Sequence, residues 1–387
     1  MQDLRPLFIP TLNSGVTYWR MFNFVQAAFR NKVMESHIVW WQKGLNEIHP
    51  WQLDLTRLEY RERILSELSI CCRTADIAVM GMLHIDEGLT VLMGIREMYG
   101  IPVVMEIDDN ILSCPVYNPA SNCYDPGSML RKRAIQQMRE SDALIVSTPY
   151  LKEIYAEFND NIYVIPNCMD LQKWCKLRKR NNKGKITVGW AGGAAHNDDL
   201  DIIEPAIDVI TAKHPEVEFC FVHGISPGLK DKKNVRWSRQ YMRIDQYPSY
   251  LAKQGFDIGL APLVDNAFNR GKSNLRFLEY AALGVPCVAS DVGHFKETID
   301  TGVDGFLCSD TKEFIEGIEL LINDSSLRYR MGRAALAKVT ERFNVDNVIV
   351  EYEKVLREIK ERGQVRRIVP IYKDSNYKPI VDATEIL

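Results

Sequence analysis

Two cations and a carboxylate stand at a spacing suited to a phosphorylated ligand. Arg270 and Lys272 lie in a polar stretch, Ser273 follows, and Glu279 sits inside the run Leu275-Arg276-Phe277-Leu278-Glu279-Tyr280-Ala281-Ala282-Leu283. The pattern predicts a helix with Ser273 at its N-cap and Gly284 closing it, and Pro286 then opens an apolar strand. The first N–H groups of such a helix, including those of Asn274 and Leu275, have no partner within it, and the helix dipole adds positive potential, so its start attracts an anion. Arg270 and Lys272 can add charge-assisted bonds. Glu279 falls roughly 9 Å further along the axis. That is a plausible span from a diphosphate to the hydroxyls of its ribose, so one helix can hold both ends of a nucleotide diphosphate.

The surrounding pattern supplies the scaffold. Apolar runs at residues 4–10, 37–41, 77–83, 102–107, 143–147 and 162–166 alternate with helical stretches, and the alternation repeats at 186–190, 217–222, 257–261, 286–290 and 305–308. Continuous apolar strands separated by helices imply parallel sheets covered on both faces. The expectation is α/β, with two doubly wound Rossmann-like domains at about 1–172 and 185–344. Residues 173–185, rich in Lys, Arg, Asn and Gly, have the composition of a charged hinge between them; a groove for nucleic acid is the competing reading.

In such sheets ligands sit beyond the carboxyl ends of strands, which selects three loops. The first carries Gly15 in Asn13-Ser14-Gly15-Val16, a turn that serves either a ligand or the fold alone. The second is Ala191-Gly192-Gly193-Ala194-Ala195-His196, where Gly192 and Gly193 permit close backbone approach. His196 can bond a phosphate or a sugar hydroxyl, or serve the structure as a cap. The third holds Asp108 and Asp109: Asp109 can accept bonds from sugar or acceptor hydroxyls and Asp108 can act as a base toward the acceptor. Capping the next helix, or binding a hard cation through oxygen ligands, are the alternatives for this pair.

From residue 186 to 343 the chain resembles the retaining, GT-B-fold glycosyltransferases of glycosyltransferase family 4, also called glycosyl transferases group 1. The resemblance rests on Glu279-Tyr280-Ala281-Ala282-Leu283-Gly284-Val285-Pro286 with Val288-Ala289-Ser290-Asp291-Val292-Gly293, on Val188-Gly189-Trp190-Ala191-Gly192-Gly193 with His196 and Asp199, on residues 256–262, and on Gly302 with Gly305-Phe306-Leu307. It implies two domains facing across a cleft, the first completed by a terminal helix within about 345–387. It also implies a metal-independent enzyme without a cofactor that moves a sugar, with retention, from a nucleotide diphosphate sugar to a hydroxyl acceptor. Glu279 matches the second glutamate of the family's paired motif, which binds the ribose, and Gly271 stands where the first belongs. The resemblance places Asp108 and Asp109 where relatives often carry a His-Asp pair near the transferred sugar. It brings the Gly15 loop to the donor phosphate or acceptor, and Asp291, Gly293 and Glu297 near the donor pocket. Many relatives place Arg and Lys after the 186–190 strand, whereas here that positive charge falls to Arg270 and Lys272.

The whole chain narrows the field further. Its 387 residues suffice for two cores. With 46% hydrophobic residues, 26% charged and a formal net charge of -3, nothing global draws it to nucleic acid or anionic lipid. No apolar run approaches the roughly 20 residues of a membrane helix, and the first ten lack the features of a secretory signal, so a soluble, cytoplasmic protein is expected. The nine cysteines include no CxxC pair, which argues against structural zinc, and adjacent Cys71 and Cys72 read as small buried thiols. Trp19, Trp40, Trp41 and Trp51 read as core, with stacking on an acceptor as the alternative. The acceptor is expected to be a glycan, a lipid-linked glycan, a small molecule or modified DNA; the last draws only on the basic residues 176–185. A nucleotide-sugar epimerase and a non-catalytic sugar-nucleotide binding module are the remaining readings. The sequence leaves the oligomeric state open.

Overall fold

The computed structural model describes residues 3–10, 15–39, 66–82, 88–116, 118, 121–177, 184–193, 196–238 and 245–365. The described residues divide into two compact units.

One unit draws on residues 1–108, 123–165 and 348–387. Its sheet contains β1 (Pro6–Ile9), β2 (His37–Ile38), β3 (Ile77–Gly81), β4 (Val103–Ile107), β5 (Ala143–Val146) and β6 (Ile162–Val164), ordered β2-β1-β3-β4-β5-β6 with every pairing parallel. Strands β1, β3, β4 and β5 are buried along their whole length, because helices cover both faces and leave no polar side to alternate with. A helical segment begins at Gly15, passes through a π-helical turn at Tyr18–Phe22 and continues as α1 (Asn23–Asn31). Arg20, within that turn, is fully buried and forms an ion pair with Glu106 of β4, its Nε 2.9 Å from Oε1. The terminal helix, Val345–Arg362, places the buried Tyr352 ring 6.1 Å from Phe8 and 4.7 Å from Phe24. Each large ring removed from water here contributes about 1.5–3 kcal/mol.

The other unit draws on residues 109–122 and 166–347. Strands β7 (Thr187–Gly192), β8 (Glu218–His223), β9 (Val235–Ser238), β10 (Ile258–Ala261), β11 (Cys287–Ser290) and β12 (Gly305–Cys308) are ordered β12-β11-β10-β7-β8-β9, again wholly parallel. Strand β9 was not expected from the sequence. Its Val-Arg-Trp-Ser is only partly buried at the sheet edge, so it lacks the continuous apolar run that marks the inner strands. Phe219, Phe221, Ile258, Leu260 and Val288 fill the core between the sheet and the helices at Glu204–Lys213 and Thr311–Asn323.

The helix that matters most for the site, α2 (Leu275–Ala282), is locked to the sheet through Tyr280. Its hydroxyl donates to the Leu260 carbonyl at 3.1 Å and accepts from the Ala191 N–H at 3.3 Å, tying the helix to β10 and β7. Gly259 makes room for it, since a Cβ there would lie 2.3 Å from the ring. The helix starts later than expected: Asn274, not Ser273, occupies the cap position, and no side chain caps the turn. Ser273 is otherwise engaged, its Oγ accepting from Asn167 Nδ2 at 2.7 Å. At the other end Leu283 is the C-cap and Gly284 follows in the left-handed region at φ 67, as a helix stop requires.

Candidate functional site

Strand order decides where to look. In the second unit the chain runs β7 to β9 toward one edge and β10 to β12 toward the other, so the direction reverses between β7 and β10. Crevices at such switch points, beyond the carboxyl ends of the strands, are where open α/β sheets bind ligands. The loop after β7 and the loop after β10 therefore form the walls of the site.

These two loops are joined through one carboxylate. Asp199 is buried; it takes the Val264 N–H at 2.9 Å and Asn269 Nδ2 at 2.7 Å on Oδ1, while its Oδ2 lies 2.7 Å from His196 Nδ1. His196 is thereby held at the end of the β7 loop, its ring edge-on to Trp190 with centroids 6.2 Å apart. Burial, together with the positive fields of Lys272 and Arg276, holds its pKa below the ordinary histidine value in spite of Asp199. Lys272 and Arg276 thus both act electrostatically on the His196 ring.

Lys272 stands just ahead of α2. Its Nζ is 2.7 Å from Asp109 Oδ1 and 4.4 Å from the centre of the Phe268 ring. Asp109 is brought there because the neighbouring Asn110 donates to the Ala267 carbonyl at 2.9 Å. Arg276, in the first turn of α2, reaches back to β7: its guanidinium lies 5.3 Å from the centre of the Trp190 ring and 3.8 Å from Glu279. Gly192 is the reason this fits, because a Cβ there would lie 2.7 Å from Arg276 Nη2 and 2.5 Å from Trp190.

Glu279 is buried, at 4% exposure. Tyr247 donates its hydroxyl to Oε2 at 3.1 Å, and the Tyr247 ring stacks on His223 with centroids 6.0 Å apart. Burial pushes the Glu279 carboxyl up to about 7, with Arg276 and Tyr247 acting in the opposite direction. Burial and Arg276 also lower the pKa of His223, which ends β8 with a positive φ of 70. The arrangement is a crevice with a carboxylate at one end and cations beside an uncapped helix start at the other.

The residues singled out from the sequence divide accordingly. Gly192, Gly193, His196, Lys272, Ser273, Asn274, Leu275, Glu279 and Asp109 all belong to the second unit, around this crevice. Arg270 points elsewhere: Nε and Nη2 are 2.7 and 3.0 Å from the two oxygens of Asp265, with both side chains more than half exposed. Asp108 and Gly15 belong to the first unit; Asp108 contributes to the field that holds Arg20 charged and lends its carbonyl to Ser147 Oγ at 3.2 Å. Asn13, Ser14, Ala194, Ala195, Trp40, Trp41, Trp51 and residues 178–183 lie outside the described residues. Sequence reasoning passed over Arg276, Tyr247 and His223. Arg276 reads as an exposed cation of an amphipathic helix, and only its three-residue spacing from Glu279 hints at the pairing.

Comparison with known proteins places this region beside a family. Residues 185–324 match the family described as Glycosyl transferases group 1. This stretch is a group 1 glycosyl transferase domain. It contains Gly192, His196, Lys272, Arg276 and Glu279, while Asp109 lies outside it. Among individual proteins, the chain is 33% identical over 87 residues to N-acetyl-alpha-D-glucosaminyl L-malate synthase of Bacillus anthracis, covering 22% of this chain and 23% of that protein. It is 41% identical over 68 residues to human alpha-1,3/1,6-mannosyltransferase ALG2, covering 17% of this chain and 16% of that one. The matched stretches thus span less than a quarter of either relative.

Likeness in structure extends further than likeness in sequence. Sucrose-phosphate synthase from Thermosynechococcus elongatus superposes with a TM-score of 0.67 at 13% identity, over 93% of this chain and 100% of that one. Anabaena HepE, solved with UDP-glucose, gives 0.63 at 16% identity over 92% and 100%. The fold is the two-sheet GT-B architecture of glycosyltransferases. Among the described residues no helix is long and apolar enough to cross a membrane.

Proposed function

We propose that this protein is a retaining glycosyltransferase that moves a sugar from a nucleotide diphosphate sugar to a hydroxyl acceptor without a metal. The observation that carries the reading is the convergence of Lys272, Arg276 and His196 on the switch-point crevice whose helix, α2, also bears Glu279. The diphosphate would lie across the uncapped start of α2, with Lys272 and Arg276 neutralising it in place of a divalent ion. Glu279 would accept the ribose hydroxyls, exchanging the Tyr247 hydrogen bond for them.

In the reaction, the bond between the anomeric carbon and the diphosphate oxygen breaks, and its electron pair stays on the diphosphate. The acceptor oxygen forms the new bond to the same carbon, and its proton passes to the departing diphosphate. In this pose negative charge would grow beside Lys272 and the N–H groups of α2, and donors fixed in advance around a developing charge account for most of the rate enhancement in many enzymes. The resemblance to family 4 supports retention, with the acceptor entering on the leaving-group side and no covalent sugar intermediate. Asp109, held by Lys272, is the carboxylate we assign to sugar or acceptor hydroxyls. HepE, solved with UDP and with UDP-glucose, supports a donor of this class, and a glycan, lipid-linked glycan, small molecule or modified DNA remains the acceptor class. We read the protein as cytoplasmic.

The test is a screen of UDP-, GDP-, ADP- and TDP-sugars for binding, slow hydrolysis and transfer, repeated with EDTA. The anomeric configuration of the product is read by proton NMR. At least one donor should bind and turn over with retained configuration and no loss in EDTA. An inverted product or EDTA-sensitive turnover would remove those parts of the reading, and absence of binding by every sugar nucleotide would remove all of it.

A further inference from the structure

We infer that His196 is a proton-loaded anchor for the donor: the ring takes up a proton as the diphosphate binds and then bridges Asp199 to a diphosphate oxygen. This rests on the donor reading above, which already brings His196 to the crevice, and adds a proton and a hydrogen bond that it does not require.

Asp199 fixes the chemistry of the ring. Oδ1 already accepts two N–H groups, from Val264 and Asn269, and Oδ2 faces Nδ1 at 2.7 Å. A carboxylate buried with three such neighbours acts as acceptor throughout, so Nδ1 carries a hydrogen and donates it. In the neutral ring Nε2 is then the bare nitrogen, and among the described residues it has no hydrogen-bond partner. Its side chain keeps 21% exposure, so Nε2 is reachable by a ligand at the crevice.

The groups facing the ring are Asp199 from its own turn, the Trp190 edge from β7, and Lys272 and Arg276 from the start of α2. Without a ligand burial, and after it the two cations, favour the neutral ring. A bare Nε2 would repel a phosphate oxygen, whereas Nε2–H would donate to it. A sugar nucleotide brings two negative charges next to Lys272 and Arg276 and cancels their contribution, and its oxygen at Nε2 joins Asp199 in offsetting burial, the largest cause of the lowered value. Protonation then gives an imidazolium with an anion on each side, the diphosphate at Nε2 and Asp199 at Nδ1. As the bond to the anomeric carbon breaks, the hydrogen on Nε2 faces the oxygen gaining charge, so His196 stabilises departure as well as binding.

The diphosphate of a sugar nucleotide is a diester with no titration near neutrality, which makes it a clean probe. Calorimetric titration at pH 7.5 with whichever of UDP-glucose, GDP-mannose or ADP-glucose binds, in buffers of different ionisation enthalpy, counts the protons taken up. Glu279 titrates in the same range, so the quantity that matters is the difference between the protein and His196→Gln. The protein should take up more protons than His196→Gln, by a difference approaching one, and His196→Gln should bind at least tenfold more weakly. His196→Lys, whose charge is permanent, should recover affinity without proton uptake. Equal proton counts in the protein and His196→Gln, with binding intact, would overturn the inference and leave the donor reading standing. Binding by none of the three would overturn both.

Discussion

On the proposed reading Glu279 is held in a state that serves a ligand rather than the fold, and replacing it should reveal this as added stability. Its carboxyl sits near 7 against an ordinary 4.5. At about 1.36 kcal/mol per pH unit the gap amounts to roughly 3 kcal/mol of destabilisation when the group is ionised in both folded and unfolded chains. The sign follows from the raised value. Between 4.5 and about 7 the folded protein binds the proton that the unfolded chain releases, so stability falls as pH rises through this window. Above about 7 the loss is complete.

Glu279→Gln removes that dependence while keeping size and an acceptor for Tyr247. It also leaves Arg276 without its partner at 3.8 Å. The expected net gain at pH 8 is therefore about 1–3 kcal/mol, or several degrees in thermal midpoint at about 2–4 °C per kcal/mol. At pH 4.5 the gain should vanish. The same variant should lose affinity for the sugar nucleotide, because a carboxylate that accepts two ribose hydroxyls becomes an amide with one acceptor. Thermal unfolding from pH 4.5 to 8.5, with and without nucleotide, measures both effects. A midpoint difference that does not change with pH, or one that favours Glu279 at pH 8, would refute the reasoning.

Other substitutions probe separate parts of the account. Lys272→Ala should lower turnover by roughly 10²–10³ with a smaller change in donor affinity, because on the proposed mechanism it removes a donor to charge that develops during the reaction. Gly192→Ala should impair nucleotide binding severely in a protein that still folds, because a Cβ 2.7 Å from Arg276 Nη2 and 2.5 Å from Trp190 must displace the guanidinium. Arg270→Ala should leave turnover nearly unchanged, since its guanidinium is committed to Asp265 at the surface. Arg20→Met should destabilise the first unit by about 3–5 kcal/mol in chemical denaturation, by stranding the buried carboxylate of Glu106.

The sequence made the sheets legible because most of the strands are inner or near-inner and apolar throughout, as at Val103–Ile107 and Cys287–Ser290. The edge strand Val235–Ser238 escaped because a strand with one flank open carries Arg and Ser like any loop. Lys272 and Glu279 are singled out in the sequence by a polar loop before a helix, and His196 by the glycine-containing loop after a strand; the fold brings all three to the second unit. Arg270 could not be separated from them. Only the fold shows that a cation two positions earlier turns outward to Asp265 while Arg276, on the helix, turns inward to Trp190. Ser273 shows the same limit: its type and position are those of a cap, and a partner more than a hundred residues away in sequence, Asn167, claims its hydroxyl instead.

The most direct measurement is a crystal structure of the protein soaked with its preferred sugar nucleotide. The diphosphate should lie within hydrogen-bond distance of Lys272 Nζ and the first N–H groups of α2, with Arg276 beside it and the ribose hydroxyls on Glu279 in place of Tyr247. A diphosphate bound elsewhere, with the Tyr247 to Glu279 hydrogen bond intact, would contradict the account.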